Sequence, residues 1–283
     1  MLDFVYYPVS AVLWLWHTGF AAVLGAASGA AWVLAIVLLV VTLRAALYRP
    51  FLAQVRFSRT MAALQPKMRE LQTKFADDRD KLLAETRKLQ QEHNFSLARG
   101  CLPVVAQLLL FLGLFHVLRS FDRTGASSNL PFFGSSTPMT AAENAATGNY
   151  VFSPDQVQSF LQAKLFAAPL SSTLATSGES LTAVALVAIP LVLVAAVATH
   201  FTARASIARQ TETTPQTRLI NWMTLWVFPL GTVVAGLVLP LGILVYFATS
   251  NTWTYVQQHV VHRRLDAVPV GPAPSIPAPR KQK

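Results

Sequence analysis

Apolar residues fall in long blocks along this chain rather than in alternation with polar ones, and the blocks predict helices that cross a membrane. Phe4 to Leu43 carries no charged side chain, which is too long for one crossing of about 20 residues. Gly25-Ala26-Ala27-Ser28-Gly29 divides it. The first half is rich in aromatics (Tyr6, Tyr7, Trp14, Trp16) and broken by Pro8. It reads as a helix lying at the headgroup level, with a sixth crossing as the rival reading. Ala30 to Tyr48 is the first firm span, Cys101 to Leu118 the second and Leu181 to Phe201 the third. Leu219 to Val256 is again charge-free and too long for one crossing; Gly236, Pro240 and Gly242 mark a hairpin within it that separates a fourth span from a fifth.

Between the first two spans the pattern changes. Met61, Leu64, Met68, Leu71 and Phe75 step by three and four, the seam of an amphipathic helix. Ala76-Asp77-Asp78 supplies a turn and an N-cap, and Leu82, Leu83, Leu89 and His93 form the seam of a second helix folding back on the first. The expected fold is an all-α integral membrane protein of five transmembrane helices. In chain order these are an interfacial helix (1–29), a span (30–51), a cytoplasmic hairpin (52–100), a span (101–119) and an extracytoplasmic loop (120–180) with an amphipathic piece around Phe160 to Phe166. A span (181–202), a short cytoplasmic loop (203–217), two spans (218–236 and 238–258) and a disordered, basic, Pro-rich tail (259–283) complete the order.

Composition agrees with a membrane protein: 53% of the residues are hydrophobic and 13% charged, about half the usual charged share of a soluble domain. The net charge of +10 is unevenly placed and sets the orientation. Arg49 to Gly100 holds eleven Lys and Arg residues, Arg204 to Arg218 three, and the segment from Arg263 five, whereas Met1 to Leu43 has none. Five crossings put all three basic segments in the cytoplasm and the N-terminus outside. Met1-Leu2-Asp3 lacks the positive start of a signal peptide. The single cysteine, Cys101, excludes a disulfide framework within the chain and reads as a small buried thiol.

No catalytic motif and no metal-binding or cofactor-binding cluster stands out, and the six histidines are scattered. Arg44 demands explanation, because a guanidinium facing lipid at depth costs at least ~2.5 kcal/mol. It can snorkel toward Arg49, about 7.5 Å further along the helix, or it can be kept in a water-filled cavity. Gln107, Asn221, Thr224, Ser250 and Asn251, polar residues inside apolar segments, are candidates to line such a cavity.

Thr42-Leu43-Arg44-Ala45-Ala46-Leu47-Tyr48-Arg49-Pro50-Phe51 resembles the end of the first core span of YidC-type membrane protein insertases. So do, in order, Met61-Ala62-Ala63-Leu64-Gln65-Pro66-Lys67-Met68, Gly100-Cys101-Leu102-Pro103 with Gln107, and Pro240-Leu241-Gly242 with Tyr246, Ser250-Asn251 and Gln257-Gln258. The pattern departs from the family's at Arg49, at Phe95-Ser96-Leu97 and at Gln107-Leu108-Leu109. The resemblance implies a short form without a large extracytoplasmic domain, in a bacterial plasma membrane. It implies a hydrophilic groove open to cytoplasm and lipid, with Arg44 as its charge and Gln107 and Tyr246 on its walls. The hairpin would recruit substrate, and no cofactor is implied. Nascent membrane proteins would be the clients, and the general secretion translocon, the ribosome and anionic lipids are candidate partners. Two rival readings are a small secondary transporter or anion-binding channel using Arg44, and a purely structural subunit. The transporter reading lacks the internal repeat such proteins carry.

Overall fold

A computed structural model describes residues 2–92, 97–124, 138–210 and 215–266. His93, Phe95, Ser96 and the tail beyond Asp266 lie outside the described residues. The helices are α1 (Asp3–Leu24), α2 (Gly29–Ala46), α3 (Tyr48–Lys74), α4 (Arg79–Glu92), α5 (Leu97–Arg119), α6 (Ala141–Ala146) and α7 (Pro154–Gln162). After a two-stranded hairpin, β1 (Lys164–Leu165) and β2 (Ala168–Pro169), come α8 (Leu181–Ile207), α9 (Pro215–Trp222), α10 (Phe228–Val238) and α11 (Leu241–Asp266).

Among the described residues, four stretches are long and apolar enough to cross a membrane: Asp3–Leu24, Gly29–Ala46, Gly178–Ile207 and Thr217–Val238. This set differs from the five spans expected. It includes α1, while α5 contributes a shorter apolar stretch, Val104–Arg119, and α11 is absent from it. The reason is chemical: α11 carries Ser250, Asn251, Gln257 and a basic last turn, which dilute its apolar character without shortening it. α1 also runs unbroken through Pro8. Proline so near a helix start deprives only the Phe4 carbonyl of its partner. At the other end of the chain α11 stays helical through Asp266, well past the expected start of the tail at 259. Gln257 and Val261 are buried, and Arg263 and Arg264 suit the negative end of the helix dipole.

α11 packs against α8 and α2, α10 against α8, α1 against α2 and α5, and α3 against α5 and α4. Several contacts of α1 lead to one end of the bundle. Tyr6 stacks on His116 at the end of α5, with ring centroids 4.2 Å apart, and Ser10 Oγ accepts from the Val151 N–H. His17 stacks at 3.7 Å on Trp32 in the first turn of α2. Trp32 is fully buried, sits against Phe121, Phe152 and Phe160, and donates to Ser159 Oγ at 3.1 Å. Here called the loop end, this end is capped by α6 and α7, each started by a full capping box, Thr140 with Glu143 and Ser153 with Gln156. The Thr140 N–H and hydroxyl hold the Glu143 carboxyl below its ordinary range. α7 stops at Gln162, so Phe166 lies not on a helix but in the β1–β2 turn.

The fourth apolar stretch is interrupted. Met223–Val227 forms a π-helical turn just before Pro229, which has no N–H to offer the Leu225 carbonyl. His200 Nδ1 of α8 lies 3.1 Å from that oxygen, and because a carbonyl only accepts, the imidazole must donate. The histidine satisfies a backbone group that lipid could not.

Candidate functional site

The last turns of α2, the middle of α5 and the second and third turns of α11 converge on a small, partly open cleft. Its polar lining is Arg44, Gln107, Tyr246 and Ser250; Val40, Leu43, Leu110 and Leu114 complete the wall. Helical spacing explains the set: Val40 and Arg44, Leu110 and Leu114, and Tyr246 and Ser250 are each four apart, on one face of their helices.

Arg44 donates through Nη2 to Ser250 Oγ at 2.7 Å and to the Ser250 carbonyl at 3.4 Å. The same carbonyl accepts from Thr254 Oγ1 at 2.9 Å, so α11 presents a fixed polar step to the guanidinium. Among the described residues no carboxylate pairs with Arg44. A guanidinium has five N–H donors, and these bonds engage one nitrogen. The charge is therefore turned into the cleft rather than spent on a neighbour. Two residues earlier, Thr42 Oγ1 donates to the Leu38 carbonyl and accepts from Trp16 Nε1 at 3.0 Å, which ties α1 to this end of α2. Tyr246 is buried, with its ring 6.0 Å from Phe111.

Asn221, Thr224 and Asn251 do not line the cleft. Asn221 and Gln210 exchange two hydrogen bonds, at 3.0 and 2.6 Å, across the connection from α8 to α9. Thr224 donates to the Ile220 carbonyl and Asn251 to the Phe247 carbonyl, the local solution for a polar side chain on an apolar helix. Sequence reasoning missed the four apolar wall residues, although a step of four from Arg44 and of three from Gln107 would have found Val40 and Leu110.

The hairpin of α3 and α4 hangs from the end of the bundle nearer Arg44. Of its seam, Leu64 is buried, Met68, Leu71, Phe75, Leu82 and Leu89 are half-buried, and Met61 and Leu83, against expectation, are exposed. Asp78 caps α4 by accepting from the Lys81 N–H at 3.1 Å and pairs with Lys81 Nζ at 2.7 Å, which holds its carboxyl below the ordinary range. Arg59 Nη2 lies 3.5 Å from the His262 carbonyl and links the hairpin to α11. Among the described residues no group of three His, Cys, Asp or Glu side chains is placed to hold a metal.

Residues 23–268 match the family model described as the 60Kd inner membrane protein. The chain is similar to the Membrane protein insertase YidC of Mycolicibacterium paratuberculosis, 47% identical over 92% of this chain and 75% of that protein. It is 46% identical to the protein of the same name from Mycobacterium leprae, over 94% of this chain and 71% of that one. The chain belongs to the YidC family of membrane protein insertases. It is thus a multi-pass protein of the bacterial membrane, an insertase and not an enzyme. A more distant YidC, from Streptomyces avermitilis, is 30% identical over 93% of this chain and 58% of its own length. The match to the family model takes in the whole cleft and the α3–α4 hairpin, as well as α6 and α7.

Proposed function

We propose that this chain inserts nascent membrane proteins by drawing a short polar, acidic tail of the client into the cleft around Arg44. The observation that carries the reading is the placement of that guanidinium: with Gln107, Tyr246 and Ser250 it lines a cleft among membrane helices, and it has no carboxylate partner among the described residues. A client carboxylate would replace Ser250 as its partner, exchanging a neutral acceptor for a charged one, roughly twice as strong a bond.

The size of the cleft limits what enters. The enclosed part of the cleft has room for about one or two water molecules. A helix about 10 Å across does not fit. Only an extended tail can use the cleft, and the client's apolar segment travels beside it in lipid. Burial of that segment, at about 25 cal/mol per Å2, drives the step without a nucleotide.

In this reading α2, α5, α8, α9–α10 and α11 cross the membrane, and α1 lies along its outer surface. Support comes from the attachment of Tyr6, Ser10 and His17 to the loop end, while Trp16 reaches further along α2 to Thr42. The α3–α4 hairpin, the connection from α8 to α9 and the end of α11 face the cytoplasm, in accord with their excess of Lys and Arg. There the hairpin meets clients through Met61 and Leu83, while its arginines and lysines attract anionic lipid. The test is reconstitution into liposomes, with insertion of a single-span client scored by protease protection. Insertion should require the protein, collapse in Arg44→Ala and survive in Arg44→Lys. Full activity of Arg44→Ala would remove the electrostatic step.

A further inference from the structure

We propose that the β1–β2 hairpin is a membrane anchor that seats Phe166 in the headgroup region of the phospholipid bilayer at the loop end of the bundle. The strands pair Lys164 with Pro169 and Leu165 with Ala168, which leaves Phe166 and Ala167 as a two-residue turn. Both have positive φ, 48° and 68°. Such turns are normally built from Asn, Asp or Gly, because a Cβ is strained there. A bulky aromatic is thus held in an unfavourable conformation with its side chain 77% exposed, so neither local backbone preference nor packing accounts for it.

Its level in the molecule does. The Lys164 carbonyl lies directly against the Gly29 Cα, and Lys164 bridges to Ser28, the residue before α2. The same segment continues along the ends of two more helices. Leu170 O accepts from the Gly242 N–H at 2.9 Å, Ser172 O from the Leu241 N–H at 3.0 Å, and the Ala175 N–H donates to Leu237 O at 3.0 Å. The hairpin is therefore stitched level with the start of α2, the end of α10 and the start of α11.

At that level Leu237 and Val238 are exposed on α10, and Val23 and Leu24 at the end of α1. These lead into the exposed apolar sides of the same helices, Leu230 and Val234 on α10 and Leu15 on α1, which a membrane protein gives to acyl chains. Lipid is the occupant because the tip joins that surface. An aromatic ring at the end of a membrane helix prefers the interface, and the exposed Lys164 beside it suits a phosphate. Anchored so, the tip holds down the segment that covers the loop ends of α2, α10 and α11. The inference stands apart from the insertion step and does not depend on Arg44.

Spin labelling of the full chain tests it. Cys101→Ser supplies a background free of native thiols, and a nitroxide is placed at Phe166→Cys or at Asp155→Cys, an exposed position on α7. In vesicles of phosphatidylethanolamine and phosphatidylglycerol, the label at 166 should collide several-fold more with oxygen than with a water-soluble nickel chelate. The label at 155 should show the reverse. Because position 166 is remote from the cleft, insertion by the labelled protein reports that it is folded. Nickel access at 166 equal to that at 155 would place the tip in water, and exclusion of both reagents would mean a protein contact; either overturns the proposal.

Discussion

Ser250 does two jobs at the scale of single residues: its Oγ and its carbonyl both face Arg44 Nη2. Removing the hydroxyl leaves the longer bond alone. Ser250→Ala should weaken the placement of the guanidinium by about 1 kcal/mol, roughly a fivefold loss of the oriented state. Insertion rates in proteoliposomes should fall by a similar factor with no change in helix content. Unchanged rates would show that the Ser250 hydroxyl does not set the charge. Arg44 was legible in the sequence because one arginine late in an apolar run has few explanations. Its surroundings were legible only in part. Gln107, Tyr246 and Ser250 look in the sequence much like Asn221, Thr224 and Asn251, since all are polar groups in apolar helices. What separates them is which face each helix turns to its neighbours. Asn221 finds Gln210, eleven residues away, while Ser250 finds Arg44 across 206 residues of chain.

Among the elements, the join between α1 and α2 is held by a close approach. A Cβ on Gly29 would collide with the carbonyl oxygen and carbon of Lys164, both main-chain atoms that cannot swing aside. Gly29→Ala should therefore lower thermal stability in detergent by several degrees, on the scale of the 1–3 kcal/mol that overpacking typically costs, roughly. Gly19→Ala, at a glycine with open space around it, should be neutral. The turn before α4 yields a pH effect. The Asp78 carboxyl is held below its usual range by Lys81, so its contribution to the hairpin is present above the ordinary carboxylate pKa. That contribution is lost as pH falls through the depressed value. Amide exchange at Lys81 should speed up in acid beyond the intrinsic rate, and Asp78→Asn should remove that pH dependence. Helix existence was readable from period and charge along most of the chain. The ends were not: a proline near the start of α1 did not break it, and buried Gln257 and Val261 carried α11 beyond the apolar block. The π-helical turn and its His200 donor depend on a contact between two helices that no local pattern records.

Across the whole molecule, charge and polarity are divided between the two ends. The loop end is closed by the aromatic group around Trp32, by α6 and α7 and by the hairpin that bears Phe166. The other end carries Arg44, the cleft and most of the basic residues. In the proposed reading, a closed far wall with Arg44 short of it admits an acidic tail partway across the bilayer. The central claim is that attraction between Arg44 and the client's tail carries insertion. The most direct measurement is a charge exchange, pairing wild type and Arg44→Glu with two clients that differ only in an acidic or a basic tail. The account predicts that Arg44→Glu loses the acidic client and gains the basic one in the same vesicles. Loss of both clients in a protein that remains folded, or indifference of both to the reversal, would contradict it.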